Sequence, residues 1–147
     1  MSDSKEKESK PRLDLFKLNG NDEPVRYLET TVVKDGVECD IYEFSNDTSR
    51  DLAIIRVHGG YTTPLQRILK GESTTEGFLE GKATLTVTPP EGESQIHYFS
   101  SPSDVGKEVV VAIGQTMQWA ASKEAGLVFY EICEPPYEDG RFENLTE

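Results

Sequence analysis

The side chains of this sequence that could do chemistry are few, and their spacing narrows the choice. Only two histidines occur, His58 and His97, 39 positions apart, and neither has a second histidine two residues away. A mononuclear catalytic metal site draws three or more ligands from imidazole, carboxylate or thiolate. The pattern therefore predicts no metal site and no cofactor; a mixed set of His97, Glu76 and Gln66 is conceivable but has no support in spacing. His97 is followed by Tyr98, and because imidazole titrates near neutrality the two form an acid/base pair if both face a cavity. His58, just before Gly59-Gly60, suits a hydrogen bond at a strand end.

Arg67 and Lys70 could clamp an anionic ligand through charge-assisted hydrogen bonds. Tyr61, Tyr98, Trp119 and Phe129 could supply flat walls for a sugar or a small aromatic molecule. The same residue types have plainer uses, which are commoner: Trp119 and Phe129 as core, Arg67 and Lys70 on a solvated strand face. Cys39 and Cys133 lack the CxxC spacing of redox or zinc sites. They are expected to be free thiols.

Short strands must position these residues. Strand-like runs cover 26–33, 37–44, 52–57, 65–70, 77–79, 83–87, 95–99, 108–113, 118–121 and 127–133, and Ala83-Thr84-Leu85-Thr86-Val87 alternates strictly. Gly, Pro and Asn clusters such as Lys34-Asp35-Gly36, Glu80-Gly81 and Pro89-Pro90-Glu91-Gly92 separate them. Regular short strands between turn signals predict an all-β protein, an antiparallel sandwich or jelly-roll barrel with little helix. Residues 1–12 have few apolar side chains to bury and are expected to be a loose tail, leaving 13–147 as one domain that ends in an acidic segment over the barrel edge.

Fifteen Lys and Arg against 27 Asp and Glu give a net charge of −12. That sign disfavours nucleic acid and anionic membrane surfaces as partners. The longest apolar runs fall far short of the roughly 20 residues needed to cross a bilayer. The polar, mixed-charge N-terminus lacks the pattern of a secretory signal, so a cytoplasmic location is expected.

The stretch from Gly106 to Pro136 carries a strand, a tight Gly turn and a second strand. It resembles the second sequence motif of the cupin family: Gly, five residues, Pro-x-Gly, two residues, His, three residues, Asn. Counting from Gly106 puts Ala112 at the Pro, Gly114 at the Gly, Met117 at the His and Ala121 at the Asn. The first cupin motif, counted from Gly60, puts Gln66 and Ile68 at its two histidines and Glu72 at its carboxylate, with Gly81 two residues late. Glu76, inside the phrase TTEGFLEGKATLTV, competes with Glu72 for that role.

The resemblance implies a jelly-roll barrel that lacks the usual metal-binding histidines, and a homodimer. Three functions follow. The first is a metal-free module that binds a small organic ligand such as a carbohydrate through Tyr61, Gln66, Arg67, Glu76, Met117, Trp119 and Phe129. The second is a metal-independent enzyme similar to the sugar-nucleotide isomerases and epimerases of the superfamily, with His97 as base, Tyr98 or Tyr130 as acid and Arg67 on phosphate. The third is a structural dimeric barrel with a filled interior.

Overall fold

The computed structural model describes residues 12–69, 73–136 and 142–145. Eleven strands follow in order: β1 (Leu15–Leu18), β2 (Asn21–Lys34), β3 (Val37–Phe44), β4 (Asp47–Val57), β5 (Gln66–Ile68), β6 (Ser73–Thr88), β7 (Gln95–Ser100), β8 (Glu108–Ala112), β9 (Thr116–Ala121), β10 (Leu127–Glu134) and β11 (Phe142–Asn144). No helix occurs among the described residues, so none is long and apolar enough to cross a membrane.

The 16-residue strand β6 organises the molecule. Its first half pairs with β10 on one side and β8 on the other. Its second half pairs with β7 and β9. The first sheet therefore runs β2-β3-β4-β10-β6-β8 and the second β7-β6-β9-β5-β11, all antiparallel, with β6 shared. The separator Glu80-Gly81, read from sequence as a turn between two short strands, is instead the bend at which one strand changes sheets. Gly81 makes that bend because its φ is +106° and a Cβ there would lie 2.1 Å from the Gly126 carbonyl oxygen.

Between the sheets the inward positions of both layers interdigitate. Ile55, Val57, Phe78, Val111 and Phe129 of the first sheet meet Ile68, Leu85, Phe99, Met117 and Trp119 of the second. The strict alternation of Ala83, Leu85 and Val87 puts all three in this layer, as period-2 patterning requires. A second core covers the back of the first sheet. Phe16 and Leu18 of β1, with Val25 of β2, close over Tyr42, Phe44, Leu52, Ile54, Tyr130 and Ile132. Burying each large side chain contributes on the order of 1.5–3 kcal/mol. The two-sided burial of β4 and β10 explains their near-continuous apolar runs.

Three expectations need correction. β1 lies in a stretch read as connection, because four residues with one buried edge give too short a signal. Arg12, assigned to the loose tail, has its guanidinium 4.0 Å over the Tyr27 ring; the rest of that tail lies outside the described residues. Strand 65–70 is shorter than expected, and Lys70 and Glu72 also lie outside the described residues. Of the acidic C-terminal segment, Phe142–Asn144 pairs with β5 along the edge of the second sheet.

Candidate functional site

Two of the positions that the motif count gives to histidines fall in the centre of the sandwich. Ile68 and Met117, at two of the histidine positions, are buried in the apolar layer. Gln66 pairs in register with Met117, but its Nε2 donates to Asn144 Oδ1 at 2.9 Å on the surface. Counting the motif's six-residue interval back from Gly81 gives Thr74 rather than Glu72 or Glu76. Thr74 is fully buried. Among the described residues, no three His, Cys, Asp or Glu side chains gather as a metal site would need.

Glu76 also points inward and is wholly buried. Trp119 Nε1 donates to its Oε1 at 2.9 Å, while Oε2 and the Thr74 hydroxyl lack a well-formed hydrogen bond. Glu131 lies beside it, one strand over, as its register partner on β10. Burial, then the charge and side-chain contact of Glu131, raise the Glu76 pKa well above the usual carboxyl range, outweighing the opposite pull of Trp119 and Thr74. Burial thus favours the protonated form of Glu76. The same desolvation, reinforced by Glu131, pushes the Cys39 thiol up to about 12. Cys39 and Cys133 are both free thiols, and the raised pKa makes Cys39 unreactive.

Two of the four aromatic residues proposed as ligand walls, Trp119 and Phe129, stack within a run of rings that also holds Phe78 and Phe99. Ring centroids are 5.3 Å apart for Phe78–Phe99, 5.4 Å for Phe99–Trp119 and 4.6 Å for Trp119–Phe129. Trp119 and Phe129 are core. Tyr61 covers Gly36, whose absent side chain leaves room for the ring. Arg67 is at the surface in an ion pair with Glu143 at 3.0 Å.

The acid/base set is spread over different faces. His97 shares the inward face of β7 with Phe99, opposite Leu85, and is half-buried. Tyr98 points the other way and is 73% exposed. Tyr130 sits on the back of the first sheet, edge-on to Phe16 at 5.0 Å. Its ring lies over Gly77 and its hydroxyl donates to Glu108. Burial first, then that bond to Glu108, raises the Tyr130 pKa. The structure does not bring His97, Tyr130 and Arg67 to one pocket.

It does form an open cleft beside β7, of about 370 Å³, with Lys82, Tyr98, Phe99, Asp104, Ala120 and Ser122 among its walls. Asp104 is fixed there: Ser100 N–H donates to it at 2.8 Å and Lys107 Nζ lies 2.9 Å away. Lys107 first, then the Ser100 amide, hold its pKa below the ordinary value. Of the sequence-derived candidates only Tyr98 lines this cleft. Asp104 was not among them; its one signal is the Ser-Pro-Ser-Asp turn after β7, a common turn composition.

No family model matches the chain, and no curated protein matches it in sequence. Solved structures do match in shape. The oxalate decarboxylase of Lactobacillus farciminis in its formate complex superposes with a TM-score of 0.64 at 17% identity, over 82% of this chain and 33% of that one. The 7S globulin of Momordica charantia gives 0.62 at 14%, over 82% and 35%. A cupin-2 domain protein of Rhodospirillum rubrum gives 0.63 at 15%, over 81% and 76%. The chain thus spans about one third of the decarboxylase and globulin chains and three quarters of the cupin-2 domain protein. With β6 crossing between two antiparallel layers and these shapes alongside it, the chain has the fold of the cupin superfamily.

Proposed function

We propose that this cupin-fold chain is a metal-independent, non-catalytic binding protein whose interior is given over to packing and whose recognition lies in the cleft beside β7. The observation that carries this reading is the pair Ile68 and Met117. By the motif count these are positions where the family has histidines, and here they hold a branched aliphatic and a thioether buried with Leu85, Val111 and Trp119. The ligand class is a small polar organic molecule, with carbohydrate favoured. Tyr98 offers a flat apolar face, Lys82 offers a donor, and Asp104 offers an acceptor. The cleft volume lies near the lower end of small-molecule sites. A reducing cytoplasmic setting fits the two free thiols.

The test has two arms. Protein purified from cells grown with added manganese, iron, nickel and zinc is expected to hold well under one metal equivalent; one tightly bound equivalent sinks the metal-independent reading. Saturation-transfer NMR and calorimetry against mono- and disaccharides and sugar phosphates should find a ligand in the micromolar to millimolar range. Tyr98→Ala should abolish that binding with the melting temperature unchanged, since the ring is solvent-facing. Binding that survives Tyr98→Ala would remove the cleft from the argument.

A further inference from the structure

The outer face of the second sheet is nearly free of charge, in a chain whose net charge is −12. Ala83, Leu85, Val87, Phe99, Met117 and Trp119 point into the core, so period-2 alternation turns the residues between them outward. Registered across three strands, these form rows. Tyr98, Thr84 and Ala120 make one, and Ile96, Thr86 and Gln118 make the next. Among the outward residues of β7, β9 and the second half of β6, only Lys82 is charged. Tyr98 and Ile96 stand 73% and 51% exposed. The first row lines the cleft beside β7, where Thr84 and Ala120 are short next to the Tyr98 ring. The second row lies directly beyond it along the strands.

Charges at the margin of this face are already balanced. Asp104 is paired with Lys107 at 2.9 Å and Arg67 with Glu143 at 3.0 Å, while the positive charge of Lys82 is felt at Glu124. An anionic ligand would meet no free cluster of cations, and a cationic one no row of acids. What the face offers is hydroxyl and amide. Neither Thr84 nor Thr86 has a side-chain hydrogen bond among the described residues. Gln118, whose Nε2 donates to the Thr63 carbonyl at 2.9 Å, keeps its Oε1 as an acceptor. Size narrows the occupant further. With strands about 4.8 Å apart and about 3.3 Å per residue along them, the face measures roughly 10 Å by 20 Å. That is about a quarter of the roughly 800 Å² that a stable protein partner covers, so a narrow ligand fits and a globular one does not.

We infer, taking the cleft beside β7 as the recognition site, that its ligand is a neutral, linear oligosaccharide, with one sugar stacked on Tyr98 and the following sugars laid along the outer face over Thr86, Ile96 and Gln118. Sugars have apolar faces and hydroxyl edges, which an exposed ring and evenly spaced short polar side chains match.

Calorimetry with glucose, xylose and mannose and their linear neutral oligomers, beside polygalacturonate as an acidic polymer, tests this. Affinity is expected to rise about tenfold or more from a single sugar to its longer oligomers, and to be unaffected by sodium chloride, as an uncharged ligand requires. Thr86→Lys and, separately, Ile96→Lys should weaken the longer oligomers by about fivefold or more, since each puts a charge under a neutral ligand. The single sugar and the melting temperature should not change. Equal affinity for single sugars and oligomers, or oligomer binding untouched by both variants, would overturn the extended site while leaving the cleft its small ligand. Preference for polygalacturonate would overturn the neutral ligand. Mass doubling that Ile96→Lys abolishes, in a chain that binds no oligosaccharide, would give the face to a second copy instead. If no sugar of any length binds, the proposal falls, and a ligand of another class lost in Tyr98→Ala would still mark the cleft.

Discussion

A carboxyl group in the middle of an apolar layer is the least expected residue of this molecule. Glu76 accepts a hydrogen bond from the Trp119 indole and stands beside Glu131. An ionised carboxylate there would be poorly compensated, so the site favours the protonated form. The consequence for stability has a definite sign. The folded pKa is raised above the unfolded value of about 4.5, so the folded state binds this proton more tightly. Its contribution is whole below about pH 4.5 and is lost progressively as pH rises toward the folded pKa. Glu76→Gln keeps the shape and the acceptor for Trp119 but carries no ionisable proton. It is expected to raise the melting temperature at pH 8 by several degrees and to flatten the decline between pH 5 and 8. Calorimetry across that range checks this; an unchanged slope would show that Glu76 titrates as an exposed acid does. The sequence marked Glu76 as a candidate through the phrase around it. What it could not show was Glu131 as neighbour, because the register that pairs two strands 55 residues apart is set by the whole sheet.

At the scale of elements, most strands were legible. Alternation and the Gly, Pro and Asn punctuation placed β3 at its observed bounds and β7, β8 and β10 within a residue or two. Legibility failed where turn chemistry and strand continuity conflict. Glu80-Gly81 has the composition of a turn, yet the sheet on either side makes β6 one strand with a kink. β1 and β11 escaped notice because they are three or four residues long and borrow their order from partners. The same blindness hid the cleft beside β7: facing direction follows from parity within a strand, and β7 gave no internal sign of which parity faces in. The Gly81 kink makes a sharp prediction. In Gly81→Ala the new Cβ would meet the Gly126 carbonyl at 2.1 Å in a backbone conformation that L-residues rarely adopt. The atom in the way is backbone, so nothing can rotate aside. The substitution should destabilise by about 3 kcal/mol or more, read as a lowered urea midpoint with an unchanged slope. A loss under about 0.5 kcal/mol would mean that β6 need not bend at Gly81 to cross between sheets.

For the molecule as a whole, the surplus of acid matters more than any one ion pair. Twenty-seven Asp and Glu face 15 Lys and Arg, and several of the pairs that form, such as Lys17–Asp22 and Arg67–Glu143, have both partners well exposed. Exposed pairs of this kind contribute about 0–1 kcal/mol each and weaken with salt. Repulsion among the remaining carboxylates opposes compaction, and it too is screened. The two effects have opposite signs, so the salt dependence of stability tells which dominates. With a net charge of −12 on 147 residues, repulsion should win. The Debye length falls from about 30 Å at 0.01 M to about 8 Å at 0.15 M, which shortens the reach of the repulsion to near neighbours while leaving buried contacts untouched. The melting temperature at pH 7.5 should therefore rise by a few degrees between those sodium chloride concentrations and level off beyond. A melting temperature that falls with salt would show instead that exposed charge pairs such as Lys17 with Asp22 and Arg67 with Glu143 hold the sandwich together more strongly than the acidic excess pushes it apart.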